Sequence, residues 1–410
     1  MLTDAPGPGP GVALLDGLPL LEDLSDVSGR RVLVRVDFNV PLSPPGAGGA
    51  VSVQDDFRIR AALPTLEWLQ RRGAEVTACT HLGRPHGHPD PRYEVAPVRA
   101  RLEDLAPGVA LLENLRFDPG EEADDAAFVH RLVDDFDCYV NDAFGASHRA
   151  HASIVGPPRT LPSAAGRLLQ REVEVLGSLL SSPRRPFVAV VGGAKVADKL
   201  GLLRSLLRRV DRLVVGGGMA FTFLAARGHA VGASLLDEAH VEACRALLSD
   251  AGDRIVLPTD VTVLGPGEAR PDGAPGGGEV RVVGVDIPDG WRGLDIGPDS
   301  ARAFALVVAE AGTVFWNGPM GVAEDERFAA GTEAVARAVT EGRAFSVVGG
   351  GDSVAVLNRM GLASRVGFVS TGGGASLELL ELGDLPGLEA LRRAPNAPPR
   401  SHGADASGGG

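Results

Sequence analysis

The sequence predicts an α/β protein of two three-layer α/β/α domains, each with a parallel sheet, joined by a long helix. Three observations carry that prediction. Short β-branched apolar runs alternate with segments of helical period along nearly the whole chain, and strands that are apolar on both faces belong to parallel sheets covered by helices. The ten such runs are many for one open sheet. Midway, an amphipathic helical stretch at residues 161–182 ends in the breaker SPRRP at 182–186, and a domain junction belongs there.

In order, the expected strands are residues 31–36 (RVLVRV), 75–80 (EVTACT), 109–112 (VALL) and 137–140 (DCYV) in the first half. In the second half they are 187–191, 212–215, 254–257, 313–316, 345–348 and 366–369. The ends, TDAPGPGPG at 3–11 and NAPPRSHGADASGGG at 396–410, hold too little apolar surface to offset the entropy of ordering. The resulting division is a disordered extension at 1–13, a first domain at 14–165, an interdomain helix at 166–185 and a second domain at 186–374. A C-terminal helix and segment at 375–394 is expected to pack back towards the first domain, before a disordered tail at 395–410. The Gly/Pro-rich stretch 264–278 (LGPGEARPDGAPGGG) reads as a surface excursion of the second domain with no core of its own.

Composition excludes several classes of function. Of 410 residues, 44% are hydrophobic and 23% charged, as in globular chains, and a formal charge of -13 supplies no field for nucleic acid. Cys79, Cys138 and Cys244 lie far apart, with no CxxC and no histidines at metal-site spacing, so neither a disulfide framework nor structural zinc is indicated. The first 24 residues contain no Lys or Arg and are broken by Pro6, Pro8 and Pro10, unlike a signal peptide, and no apolar run reaches membrane-spanning length. A cytoplasmic protein without nucleic-acid or membrane partners is expected.

The residues just past the strands separate the two halves. In the second, strands run into glycines: VVGGAK, VVGGGM, FWNGPMG, VVGGGD and VSTGGGAS. Ligands of parallel sheets sit beyond the carboxyl ends of the strands, where a glycine turn before a helix lets backbone amides approach a phosphate. Five such turns read as a nucleotide platform; without GxxxxGK[ST] it is no P-loop, and without GxGxxG a dinucleotide site is disfavoured. In the first half the corresponding positions carry Arg35, Asp37 and Asn39, then Arg58 at a helix start, His81 and Arg84, Arg116, and finally His148, Arg149 and His151. Any one arginine is a solvated charge by default. Five at turns and a helix start fit a small, multiply anionic substrate, because guanidinium forks match phosphate and carboxylate oxygens.

Of 40 basic residues only Lys195 and Lys199 are lysine, and both fall in VVGGAKVADKLG. The i, i+4 spacing predicts one helical face, where like charges call for an anion between them, such as a transferring phosphoryl group. Asp352, closing GGGD at a helix N-terminus, suits Mg2+, which takes one or two carboxylates together with phosphate oxygens. Glu324, after NGPMGVAE, suits ribose hydroxyls.

These blocks, in this order, resemble the phosphoglycerate kinase family: RVDFNVP, RIRAALPT, HLGRP, LLENLRF, NDAFG with HRAH, GGAKVADK, GGGMAFTF, LPTD, GLDIGP, WNGPMGV, GGGDS and STGGGASLELLE. They span residues 24–391. The resemblance implies reversible transfer of the γ-phosphoryl group of Mg-ATP to the carboxylate of 3-phosphoglycerate, giving ADP and 1,3-bisphosphoglycerate in glycolysis, by a hinge-bending monomer. It implies a phosphoglycerate site of Arg35, Asp37, Asn39, Arg58, His81, Arg84, Arg116 and Arg149. It implies a nucleotide site of Gly193, Ala194, Lys195, Lys199, Gly217, Asn317, Glu324, Gly349, Gly350, Gly351, Asp352 and Ser353, with Mg2+ at Asp352. Arg58, Lys195 and Lys199 are the expected catalytic cations: the nucleophile is a carboxylate already ionised, so positioning and charge stabilisation replace a general base. Hinges are expected at 161–182 and 370–374. One departure stands out. Only Ala106, Pro107 and Gly108 remain where the family places a further strand and helix, so the first sheet is expected to be one edge strand short. The alternative reading is a catalytically impaired nucleotide- and anion-binding homologue.

Overall fold

The structure, a computed structural model, describes residues 12–44, 51–267 and 276–398. Two compact units make it up, Met1–Ser181 with Leu382–Gly410, and Ser182–Glu381. The expected disorder at residues 1–11 and 399–410 lies outside the described residues, as does 268–275 of the expected excursion.

In the first unit, β1 (Arg31–Arg35), β2 (Glu75–Cys79), β3 (Ala110–Leu111), β4 (Cys138–Asn141) and β5 (Ser163–Ala165) form a parallel sheet in the order β3-β2-β1-β4-β5. Val32, Val34, Val76 and Val140 meet Ile59 and Leu66 of the helix Phe57–Gln70 and Val98 and Leu102 of the helix Ala96–Leu105 in one core. The strands read as continuous apolar runs because their faces are covered. The shortened connection is part of this core: Ala106 and Val109 are 3% and 4% exposed, and Gln70 Nε2 ties down Pro107 O at 2.8 Å. It leads directly into β3, the two-residue edge of the sheet.

In the second unit, β6 (Phe187–Val191), β7 (Arg212–Val215), β8 (Ile255–Val256), β12 (Thr313–Asn317), β13 (Phe345–Gly349) and β14 (Phe368–Val369) form a parallel sheet in the order β14-β13-β12-β6-β7-β8. Beside it, β9 (Asp260–Leu264), β10 (Val280–Gly284) and β11 (Arg292–Ile296) make an antiparallel sheet in the order β10-β9-β11.

All ten expected strands are present, with β3, β8 and β14 shortened to two residues. The other four were not anticipated. The stretch 264–278 connects two arms that pair as β9 and β10, and Val261 and Val263 of β9 are 1% and 0% exposed. Glycine and proline between the arms masked the period-two alternation of DVTVL and VRVVG. β5 lies inside the expected helix 161–182, which instead runs Arg167–Ser181. Its start is set by tertiary contact: Asp142 Oδ1 accepts from the N–H groups of Leu168 and Leu169, and a Cβ on Gly166 would lie 2.2 Å from that oxygen. No local signal encodes such a cap.

The ends also differ from expectation. Val12 opens a short helix, Val12–Leu15, within the stretch expected to be disordered. At the other end Asn396 clasps Ser163 of β5, accepting from its N–H at 2.8 Å and donating to its carbonyl at 3.1 Å. The C-terminal boundary falls at Leu382 rather than 375. The helix Pro386–Leu391 then lies against the site-bearing loop of the first unit, with Gly387 N bonded to Ser147 O at 2.9 Å.

Candidate active site

Because β1 pairs in parallel with β2 and β4, with Arg35 opposite Cys79 and Asn141, the loops after all three emerge at one edge of the first unit. Arg35, expected to meet substrate, is instead fully buried, with Nε on Ser153 Oγ (2.8 Å), Nη1 on Val36 O and Nη2 at His81 Nδ1 (3.2 Å). Its place at the strand end points it inward, so it organises the site rather than lining it. Asp37 accepts from Arg58 Nη1 at 3.0 Å, and Arg58 also reaches Asn39 O at 3.3 Å, while Asn39 Oδ1 accepts from Gly83 N. Arg116 Nη1 donates to Gly83 O at 2.7 Å, and its Nε lies 3.1 Å from Glu122 Oε1 without hydrogen-bond alignment. Arg149 is exposed with Nε on His148 Nε2, and Arg84 is exposed with no ion pair among the described residues.

Three histidines register the field of these cations. Burial, then Arg35, Arg116 and Arg58, hold His81 well below the usual imidazole range. Burial and Arg116 push His151 down to about 4, and burial with Arg149 lowers His148. Imidazoles kept neutral beside arginines mark a positive pocket, the environment that favours an incoming anion.

In the second unit, β12 places Asn317 opposite Val191 and Gly349, and β7 places Val215 opposite Val191, so four glycine turns begin at one level. They touch: a Cβ on Gly217 (φ +68°) would lie 2.6 Å from Gly193 N, and one on Gly318 (φ +93°) 2.4 Å from Gly192 O. Only glycine permits both the left-handed backbone and that approach. Lys199 Nζ is drawn among the turns, donating to Gly192 O at 2.6 Å and Asn317 Oδ1 at 2.7 Å. Burial lowers it to about 8 against the pull of Asp352 and Asp198.

The expected shared face of the two lysines is not formed. Lys195 sits in the turn, the helix starts only at Leu200, and Lys195 is exposed with no partner among the described residues. Ser353 is fully buried, its Oγ accepting from Gly318 N at 2.8 Å, so it braces two turns rather than facing outward. Gly350 (φ +94°) sits against Asn317, where a Cβ would lie 2.9 Å from Nδ2, between Gly349 at the end of β13 and Gly351, which opens the helix Gly351–Arg359.

A cleft of about 540 Å³ runs from these turns, lined by Gly193, Ala194, Gly217, Glu324 and Asp352 at its polar parts. Its apolar walls, Phe221, Leu235, Pro258, Leu294, Met320 and Val322, went unassigned in the sequence, although GGGMAFTF and GLDIGP contain some of them. Sequence reasoning also missed Glu121, fully buried, which holds Ser153 through its N–H (2.9 Å) and Oγ (2.6 Å) and so steadies Arg35.

A platform of glycine turns with a lysine in one α/β unit, and an arginine-rich anion pocket in another, are the attributes of a phosphotransferase. The sequence model of the phosphoglycerate kinase family matches residues 21–110 and 104–382, two segments that meet at the short connection before β3. The phosphoglycerate kinase of Rubrobacter xylanophilus is 52% identical over 390 residues, covering 89% of this chain and 96% of that protein. Among solved structures, that of phosphoglycerate kinase from Coxiella burnetii superposes with a TM-score of 0.80 at 36% identity, covering 91% of this chain and 98% of the other. That from Pyrococcus horikoshii gives 0.77 at 30% identity, covering 92% and 99%. The chain belongs to the phosphoglycerate kinase family. Its activity is the phosphotransfer between ATP and 3-phosphoglycerate of glycolysis, and nothing in these matches favours an impaired homologue.

Proposed function

We propose that the first unit binds 3-phosphoglycerate through Arg58, Arg84, Arg116 and Arg149 with Asp37, Asn39 and His81. The second binds ATP or ADP through its glycine turns, Lys195, Lys199, Asn317 and Glu324. The observation that carries this reading is where free cations occur. Arg84 after β2, Arg149 after β4 and Lys195 after β6 are exposed at these strand ends and form no ion pair among the described residues, which leaves their charge available to an anion.

The acceptor carboxylate is ionised at neutral pH, so the protein's task is to orient it and neutralise charge on the transferred group. Arg58 steers the carboxylate, and its bond to Asp37 sets the guanidinium's direction. Lys195, unencumbered, tracks the phosphoryl group. Lys199 bridges the turns that receive the terminal phosphates, whose charge restores its full protonation.

Asp352 would hold Mg2+. It is exposed in the first turn of the helix Gly351–Arg359, beside the cleft, and among the described residues no group of three His, Cys, Asp or Glu surrounds a metal position. One carboxylate completed by nucleotide phosphates fits Mg2+ rather than a protein cage. The bound ion supplies charge neutralisation at the phosphates.

Transfer also needs the reacting atoms in line and water excluded. The chain passes between the units at 181–182 and 381–382, so we assign bending to those connections rather than to 370–374. The reading extends to a cytoplasmic monomer; among the described residues no helix is long and apolar enough to cross a membrane. A coupled assay with MgATP and 3-phosphoglycerate tests it: turnover is expected, and nucleotide binding without turnover would contradict it. Small-angle scattering should show compaction only when both substrates are bound.

A further inference from the structure

The cleft of the second unit has two ends. Asp352, at the start of the helix after β13, marks one. At the other, Leu235, 47% exposed, and half-buried Leu294 leave apolar surface open to a flat ligand. One cation stands among them. Arg292, first residue of β11, lines the cleft and is exposed, and its side chain has no hydrogen bond or ion pair among the described residues.

Chain geometry fixes the end to which it belongs. Asp295 lies against the turn after β12, since a Cβ on Gly321 would lie 2.3 Å from its Oδ1. Three residues of strand, about 10 Å, carry Arg292 away from that turn. Its neighbour Gly293 is bonded through N–H to Ser234 Oγ at 2.8 Å, next to Leu235. Arg292 therefore stands at the Leu235 end, away from the turn after β12; Leu235 itself borders the Gly218 turn, since a Cβ on Gly218 would lie 3.1 Å from its Cδ2.

We propose that Arg292 reads the edge of the nucleotide base and raises the affinity of this cleft for guanine nucleotides relative to adenine nucleotides. The inference rests on the reading of the cleft as the nucleotide site. A guanidinium offers donors only. Guanine presents two adjacent acceptors, O6 and N7, that match its fork, whereas adenine sets an amino donor beside N7. An apolar slot without Arg292 would hold both purines by contact alone.

Calorimetry of MgGDP and MgADP binding to the full chain, to Arg292→Leu and to Arg292→Lys tests this without needing turnover. In Arg292→Leu the GDP-to-ADP affinity ratio is expected to fall about tenfold, the discrimination typical of a lost bidentate contact. Arg292→Lys, which keeps the charge and loses the fork, should fall part of the way. Equal loss for both nucleotides, or no change in the ratio, would overturn the proposal while leaving the nucleotide site intact. Failure of the unaltered chain to bind either nucleotide would sink the site assignment and this inference with it.

Discussion

The two units meet anions by different means. In the first, the cations are side chains and require a frame: Glu121 holds Ser153, Ser153 holds Arg35, and Arg35 faces His81, all of them buried. Of the pocket's five arginines, only the outermost, Arg84 and Arg149, are left free of ion pairs among the described residues. In the second, backbone turns form the platform, and their demands are steric ones at positions such as Gly217 and Gly318. A guanidinium site thus carries a buried polar scaffold whose loss threatens the fold. A glycine-turn site concentrates its chemistry in very few side chains, above all Lys195.

The largest expected effect comes from that concentration. Lys195→Ala should lower turnover by about a thousandfold, the upper range for removing one charge-stabilising donor. Because Lys195 has no partner among the described residues, the unfolding temperature should stay unchanged. Lys195→Arg should also lose most activity, since a planar fork is a poor replacement for a compact ammonium. Lys199→Arg should lose activity and some stability together, because Nζ lies only 3.0 Å from where a Cβ on Gly318 would be. Full turnover in both arginine variants would reduce the restriction of lysine to this turn to coincidence.

The next effect sharpens the contrast inside the first unit. Arg35→Leu leaves Glu121 buried without its cation and should cost about 3–5 kcal/mol of stability, read from denaturant melts. Arg84→Ala should stay within about 0.5 kcal/mol. If the two variants melt alike, the separation of scaffold from contact is wrong.

Much of this arrangement was legible in the chain, and the gaps have a common cause. Strands apolar on both faces and the glycine turns after β6, β7, β12 and β13 are local patterns, and the structure places them as expected. Arg35 and Arg84 look alike in sequence, both polar groups at strand ends, yet one is buried and the other exposed; only the third dimension supplies Ser153 and His81. The cap on the helix Arg167–Ser181 comes from Asp142, some 26 residues away, and the apolar walls of the cleft are gathered from distant segments. Pairing of β9 with β10 across a Gly/Pro-rich connection was obscured by composition.

Two smaller effects arise from buried titratable groups, one in each unit. Burial raises Asp142 to about 7, and its Oδ2 has no hydrogen-bond partner among the described residues. A raised carboxyl stabilises the fold below its unfolded value of 3.8, and that contribution is lost as pH rises through about 7. Asp142→Asn, which keeps the cap's carbonyl oxygen, should therefore melt higher than the unaltered chain at pH 8, with the gain shrinking as pH falls towards 4. In the second unit, Lys199 at about 8 is partly neutral when free and fully charged beside phosphates. MgADP binding at pH 8 should take up about half a proton, read as a dependence of the calorimetric heat on buffer ionisation. A buffer-independent heat would remove Lys199 from the phosphates.

The division of labour between the units is tested most directly by measuring 3-phosphoglycerate and MgADP affinities, each alone, in the unaltered chain and in the double variant Arg84→Ala/Arg149→Ala. The account predicts at least a tenfold loss for 3-phosphoglycerate and unchanged MgADP binding. Loss of both affinities together, or of MgADP alone, would contradict it.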